Sequence, residues 1–140
     1  MTDIMARALI VVTIIVGAGI TTRLLKVWAT NGELPARFDL RDIGITPPRP
    51  TIVEFTAPYC YECKVVQPTL KAAAIVYDTE FSLVDAKQDP EITAKYGIRS
   101  TPTILVVDGN GAVRKAWTGS PDEAELEKAL KQTRRVRASA

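Results

Sequence analysis

Cys60 and Cys63 are the residues of this chain best placed to do chemistry. They are its only cysteines, and it has no histidine. Lack of histidine excludes Ser-His-Asp and Cys-His catalysis. A closed zinc site needs four ligands, usually Cys or His, so no metal is expected. Two cysteines cannot staple a secreted scaffold either. Dithiol redox chemistry is the clearest option left. Two intervening residues on the first turn of a helix bring two sulfurs within disulfide reach. At a helix N-terminus, unpaired N–H groups and the macrodipole favour the thiolate of Cys60. Cys63, one turn further in, is expected to be more buried. Cys60 would then attack a disulfide, and Cys63 would resolve the mixed disulfide. The competing reading is two unrelated buried cysteines.

The surrounding pattern supplies the elements that would position this pair. Residues 51–56 (TIVEFT) are β-branched and apolar, as in a buried strand. From 60 to 77, Val66, Leu70, Ala73, Ala74 and Tyr77 fall at helical spacing. Residues 81–85 (FSLVD) read as a second strand. Asp89-Pro90 predicts a short helix with Asp as N-cap and Pro at N1, ended by Gly97. Strands over 103–107 and 112–117 flank Asp108-Gly109-Asn110-Gly111, a hairpin turn. Ser120-Pro121-Asp122-Glu123 reads as a capping box, opening a last helix with Leu126, Ala129 and Leu130 as its apolar stripe. The order β-α-β-α-β-β-α predicts an α/β fold. Its mixed central sheet has a parallel first pair, an antiparallel last pair and helices on both faces.

The 140 residues suffice for one domain plus an appendage. A net charge of +2, with no basic stripe among aromatics, argues against a nucleic-acid partner. The appendage is N-terminal. Residues 8–22 carry no charge, which is short of the ~17–20 apolar residues of a membrane span. Leu24, Leu25 and Val27 extend the run if Arg23 and Lys26 snorkel, with Trp28 as an interfacial aromatic. Three readings stay open: a single-pass anchor in a lipid bilayer, a signal peptide cut near Ala18, and a buried amphipathic helix. The anchor is preferred. Arg23, Lys26, Arg37 and Arg41 follow the segment, so the positive-inside count favours a cytoplasmic soluble part, whereas an ordinary bacterial signal-anchor would place it outside. Asn31-Gly32, Pro35, Pro47, Pro48 and Pro50 mark a linker, with residues 36–40 as a short edge strand. The tail Arg134-Arg135-Val136-Arg137 is expected to be basic and disordered.

Ala57-Pro58-Tyr59-Cys60-Tyr61-Glu62-Cys63-Lys64 resembles the thioredoxin signature. Lys95-Tyr96-Gly97-Ile98-Arg99-Ser100-Thr101-Pro102-Thr103 is similar to that family's second active-site loop. The resemblance covers about residues 51–131 and implies a thioredoxin fold. It also implies a cis bond at Thr101–Pro102 facing the cysteines, which would leave the Thr101 backbone free to pair with an extended substrate segment. Gly119 resembles the small residue lining the family's substrate groove; a plain turn glycine is the alternative. Tyr59 and Tyr61 would flank bound substrate. Glu54 takes the place of a buried aspartate and would accept the proton of Cys63. The alternative is a glutamate that reaches solvent.

This chain departs from the family pattern at several positions. Tyr59 replaces a tryptophan, Tyr61-Glu62 replaces glycine-proline, and Leu83 aligns where a lysine often partners the buried acid. Glu62 beside the thiols would disfavour thiolate and make the disulfide a weaker oxidant. The expected function is therefore a membrane-tethered protein-disulfide reductase with no bound cofactor. Its partners would be disulfide-containing proteins and an upstream thiol–disulfide electron donor. The rivals are an extracytoplasmic oxidase, isomerase or cytochrome-maturation thiol carrier, and a redox-inert binding module of the same fold. The expected organisation is an anchor over 1–28, a linker over 29–50, a thioredoxin-like domain over 51–131 and a tail over 132–140.

Overall fold

The computed structural model describes residues 1–30 and 33–139, without the side chains of residues 23–30, 137 and 138. The expected Asn31-Gly32 break and the interfacial placement of Arg23, Lys26 and Trp28 lie outside the described residues. The chain divides into two compact units, Met1–Glu33 and Leu34–Ala140.

The first unit is one helix, α1 (Thr2–Thr30). Its stretch Thr2–Thr22 has a mean hydropathy of 2.2 over 21 residues, long and apolar enough to cross a membrane. A signal sequence passes the same test. Three of its threonine hydroxyls are satisfied locally. Thr13, Thr21 and Thr22 donate to the carbonyls of Leu9, Gly17 and Ala18, one turn back. That removes the penalty for a hydroxyl in an apolar surrounding.

The second unit is a four-stranded sheet of order β2-β1-β3-β4. The strands are β1 (Thr51–Thr56), β2 (Glu80–Asp85), β3 (Thr103–Val107) and β4 (Val113–Thr118). β1 pairs parallel with β2 and antiparallel with β3, and β3 pairs antiparallel with β4. The two central strands are the ones whose residues are buried at nearly every position, because both their faces are covered. Ile52, Ile104 and Val106 pack under α2 (Tyr61–Val76) and α4 (Glu123–Ala138), against Val66, Leu70, Leu126 and Leu130. Val53, Phe55, Leu105 and Val107 face the other layer, which holds Phe38, Leu40, Tyr96 and Ile98. Each such side chain contributes roughly 1.5–3 kcal/mol by leaving water.

Several expectations need correction. Residues 34–50 are no linker: Phe38 and Leu40 are each 1% exposed, and Phe38 stacks on Tyr96 with ring centroids 4.2 Å apart. The edge strand over 36–40 reduces to one antiparallel bridge, Arg37 to Ala112, before a 3-10 turn at Leu40–Ile43. α3 (Pro90–Lys95) starts at Pro90, but the Asp89 side chain makes no capping bond. The last helix is capped by Asp122, whose carboxylate accepts from the N–H groups of Ala124 and Glu125; Ser120 lies before the helix and serves elsewhere. That helix runs on through the basic tail to Ala138, with Thr133 buried and its hydroxyl donating to the Leu130 carbonyl.

Candidate active site

β1 ends at Thr56, and the chain turns through Ala57–Cys60, where the Cys60 N–H donates to the Ala57 carbonyl at 3.2 Å. Cys60 is the N-cap of α2, with extended backbone, and its Sγ accepts from the Cys63 N–H at 3.2 Å. One of the helix's orphan donors is thus aimed at this sulfur, the geometry that favours a thiolate there. The two cysteines are joined as a disulfide, with Cα atoms 5.3 Å apart. Cys63 is 1% exposed, whereas Cys60 is only partly covered. An incoming group therefore reaches Cys60 first.

β3 is antiparallel to β1, so its first residue, Thr103, stands opposite Phe55 at the cysteine end of the sheet. The loop before it brings Thr101–Pro102 to that end, with a cis bond. Gly119 follows β4 and donates its N–H to the Pro102 carbonyl at 2.8 Å. Its φ of 93° lies where only glycine is comfortable, so this glycine has a backbone reason to be there. Glu62 reaches across to the same loop: its Oε1 accepts from both the N–H and the hydroxyl of Ser120, each at 3.2 Å. A Cβ on Gly119 would lie 3.5 Å from that oxygen. Tyr59 is fully exposed with φ 64°, and Tyr61 is 81% exposed.

Glu54 is 0% exposed, so the reading of a glutamate that reaches solvent is corrected. Strand alternation puts it on the face of Ile52, beneath α2. Its Cα neighbours in the sheet are Leu83 and Ile104, neither of which can bond it. Neither carboxylate oxygen has a hydrogen-bond partner among the described residues. Burial pushes its pKa up to about 7, opposed by Gln67 and Lys71, which lie close enough to act on the charge without forming a well-directed hydrogen bond. Sequence reasoning missed these two. The signal was present: Cys63, Gln67 and Lys71 fall at i, i+4 and i+8 along α2 and share one face.

No group of three or more His, Cys, Asp or Glu suited to a metal occurs among the described residues. A cavity of about 620 Å³ opens beside Phe38, Pro48, Tyr96 and Gly111. Gly111 belongs to the hairpin beyond Val107, which pairs with Thr51, so this cavity lies at the end of the sheet away from the cysteines.

A helix-capping disulfide beside a cis-proline loop, at one end of a mixed sheet, defines a dithiol–disulfide α/β protein. The thioredoxin family model matches residues 42–132, and the chain belongs to that family. A thioredoxin of Porphyra purpurea is 41% identical over 59 residues, covering 41% of this chain and 55% of that protein. Thioredoxin 1 of a Nostoc species is 35% identical over 66 residues, covering 46% and 62%. The chain thus spans between half and two thirds of the length of these relatives. The structure of a reduced thioredoxin pre-protein of Schistosoma mansoni superposes with a TM-score of 0.55 at 29% identity, covering 62% of this chain and 81% of that one.

Proposed function

We propose that this protein is a membrane-tethered thiol–disulfide oxidoreductase working as a protein-disulfide reductase. The observation that carries it is the half-covered Cys60 capping α2, with a backbone N–H aimed at its sulfur and buried Cys63 bonded to it. In the reduced protein the Cys60 thiolate attacks one sulfur of a substrate disulfide. A mixed disulfide forms, and the first substrate thiolate leaves and takes up a proton. Cys63 gives its proton to the Glu54 carboxylate, attacks Cys60, and releases the second substrate thiol. Two electrons have passed to the substrate, and the Cys60–Cys63 disulfide remains. A dithiol donor reverses these exchanges, with no bound cofactor. Thr101, Pro102 and Gly119 line the groove for the substrate backbone, and Tyr59 and Tyr61 flank it. The reducing direction rests on Glu62, whose charge, next to Cys63 in the chain, would disfavour thiolate.

The tether rests on the length and hydropathy of α1. The basic residues that follow it favour a cytoplasmic redox domain. Full-length protein should stay with membranes through high-salt and carbonate washes; release by either would exclude the anchor. Cys63→Ser expressed in cells should accumulate mixed disulfides through Cys60, and Cys60→Ser should abolish disulfide reduction. Appreciable dithiol turnover by either variant would overturn the assignment.

A further inference from the structure

The side chain between the two cysteines does something the redox cycle does not require. Glu62 is exposed, yet its carboxylate is not left to wander in solvent. Two donors of Ser120 hold Oε1 against the loop at Gly119. Gly119 is in turn bonded to the Pro102 carbonyl. The negative charge is thus fixed on the loop bonded to Pro102, beside the path of any segment laid along that residue. Directly before and after Cys60 in the chain stand two tyrosines with almost nothing over them, Tyr59 at 100% and Tyr61 at 81% exposure. Tyr59 keeps this posture with a left-handed backbone. Exposed aromatic rings next to a reactive sulfur are contact surface, and their faces attract cations. A fixed carboxylate and two open tyrosines, all within two residues of Cys60 in the chain, favour a cationic ligand.

We propose that Glu62, held by Ser120 and flanked by Tyr59 and Tyr61, is a specificity-determining residue that selects disulfides carried on positively charged segments. This rests on the redox reading above. A lysine or arginine next to the substrate disulfide would lie against the carboxylate and over a tyrosine face while Cys60 attacks. The charge acts on the approach and on the mixed disulfide. Lys64 and Arg99, cations inside the two motifs, oppose this selection, so neutralising either should strengthen it.

Three small disulfides test the idea: cystamine, which is cationic, hydroxyethyl disulfide, which is neutral, and dithiodiglycolate, which is anionic. Prereduced full-length chain in detergent reacts with each in a single turnover. Cys60 and Cys63 end as the disulfide, and two small thiols leave, so no added reductant is needed. Acid quenching and thiol alkylation then give three rate constants. In wild type the ratio of cystamine to neutral rate should fall severalfold between low salt and 1 M salt, because screening shortens from ~10 Å at 0.1 M to ~3 Å. Glu62→Gln should cut the low-salt ratio about fivefold and raise the dithiodiglycolate ratio, consistent with a charge–charge energy near 1 kcal/mol at close range in water. Tyr61→Leu should cut the cystamine ratio about twofold. The disulfides' intrinsic reactivities and any change in thiol pKa cancel when these ratios are compared between wild type and variant, and the neutral disulfide reports the active fraction. Equal ratios in wild type and Glu62→Gln would overturn the proposal alone. No reaction of wild type with any of the three would overturn the redox reading, and the proposal with it.

Discussion

Two carboxylates are fully buried at opposite ends of the central strands, and the fold treats them in opposite ways. Asp108 follows β3 at the hairpin end. Its Oδ1 accepts from the N–H groups of Asn110 and Ala112, at 2.9 and 3.0 Å. Its Oδ2 takes the Arg114 Nε at 2.6 Å and also pairs with Nη2 of the same guanidinium. Every oxygen has a partner, and these bonds pin the turn. Glu54, toward the cysteine end of β1, has two oxygens without partners among the described residues. Its ordinary ionisation is opposed by its surroundings, and its pKa stands at about 7. One acid is scaffold. The other is held ready to gain or lose a proton near neutral pH, beneath the helix that carries the cysteines.

The comparison breaks most readily at Asp108. Asp108→Ala removes two turn bonds and leaves Arg114 without its buried partner, which should cost about 3–4 kcal/mol. Urea unfolding measures it, and the folded fraction should reduce disulfides at the wild-type rate. A loss below about 1 kcal/mol would mean that Asp108 is no anchor. Glu54 should respond with the other sign. Its carboxyl is raised from 4.5 to about 7, so between those values the folded state binds more protons than the unfolded one. Wild type should therefore lose about 3 kcal/mol of stability as pH rises from about 4.5 to about 7, and no more above that. Glu54→Gln cannot titrate there, so its stability relative to wild type should rise across that window. Melts of the oxidised proteins at a series of pH values give the curve. Parallel curves would show that Glu54 finds water or a partner in solution.

The redox motif and its framework were readable because local and global signals agree there. β1 and β3 match their expected bounds residue for residue, since a β-branched apolar run bounded by breakers has few other uses. Cys60 at the helix N-terminus, buried Cys63 and the cis bond before Pro102 also stand where they were expected. What failed was settled by tertiary contact or by competing local signals. Phe38 and Leu40 lie among turn residues, and only the closed fold shows the face they cover. Ser120 and Asp122 offer overlapping caps, and Asp122 wins by bonding two N–H groups at once. The basic tail stays helical because Thr133 is buried and arginine is a good helix former. Gln67 and Lys71 went unnoticed because their spacing from Cys63 means little until Glu54 is known to lie beneath the same helix.

A third carboxylate, Glu62, sharpens the contrast at the smallest scale. It is neither buried like Glu54 nor saturated like Asp108, but exposed and bonded through one oxygen to Ser120. Its charge still stands between the two cysteines in the chain. Neutralising it with Glu62→Gln should ease the formation of the Cys60 thiolate, which stabilises the reduced form more than the disulfide. The potential should then move upward. The Ser120 donors share the charge and solvent screens it, so the shift should be about 10–30 mV; for a two-electron couple ~30 mV is tenfold in the equilibrium constant. Equilibrating wild type and variant against graded glutathione ratios, then counting free thiols, reads it directly. A potential that stays put or falls would place the carboxylate out of electrical reach of the sulfurs. The reductant reading would then lose its main support, while the rate ratios with charged disulfides would still report on Glu62 as a selector.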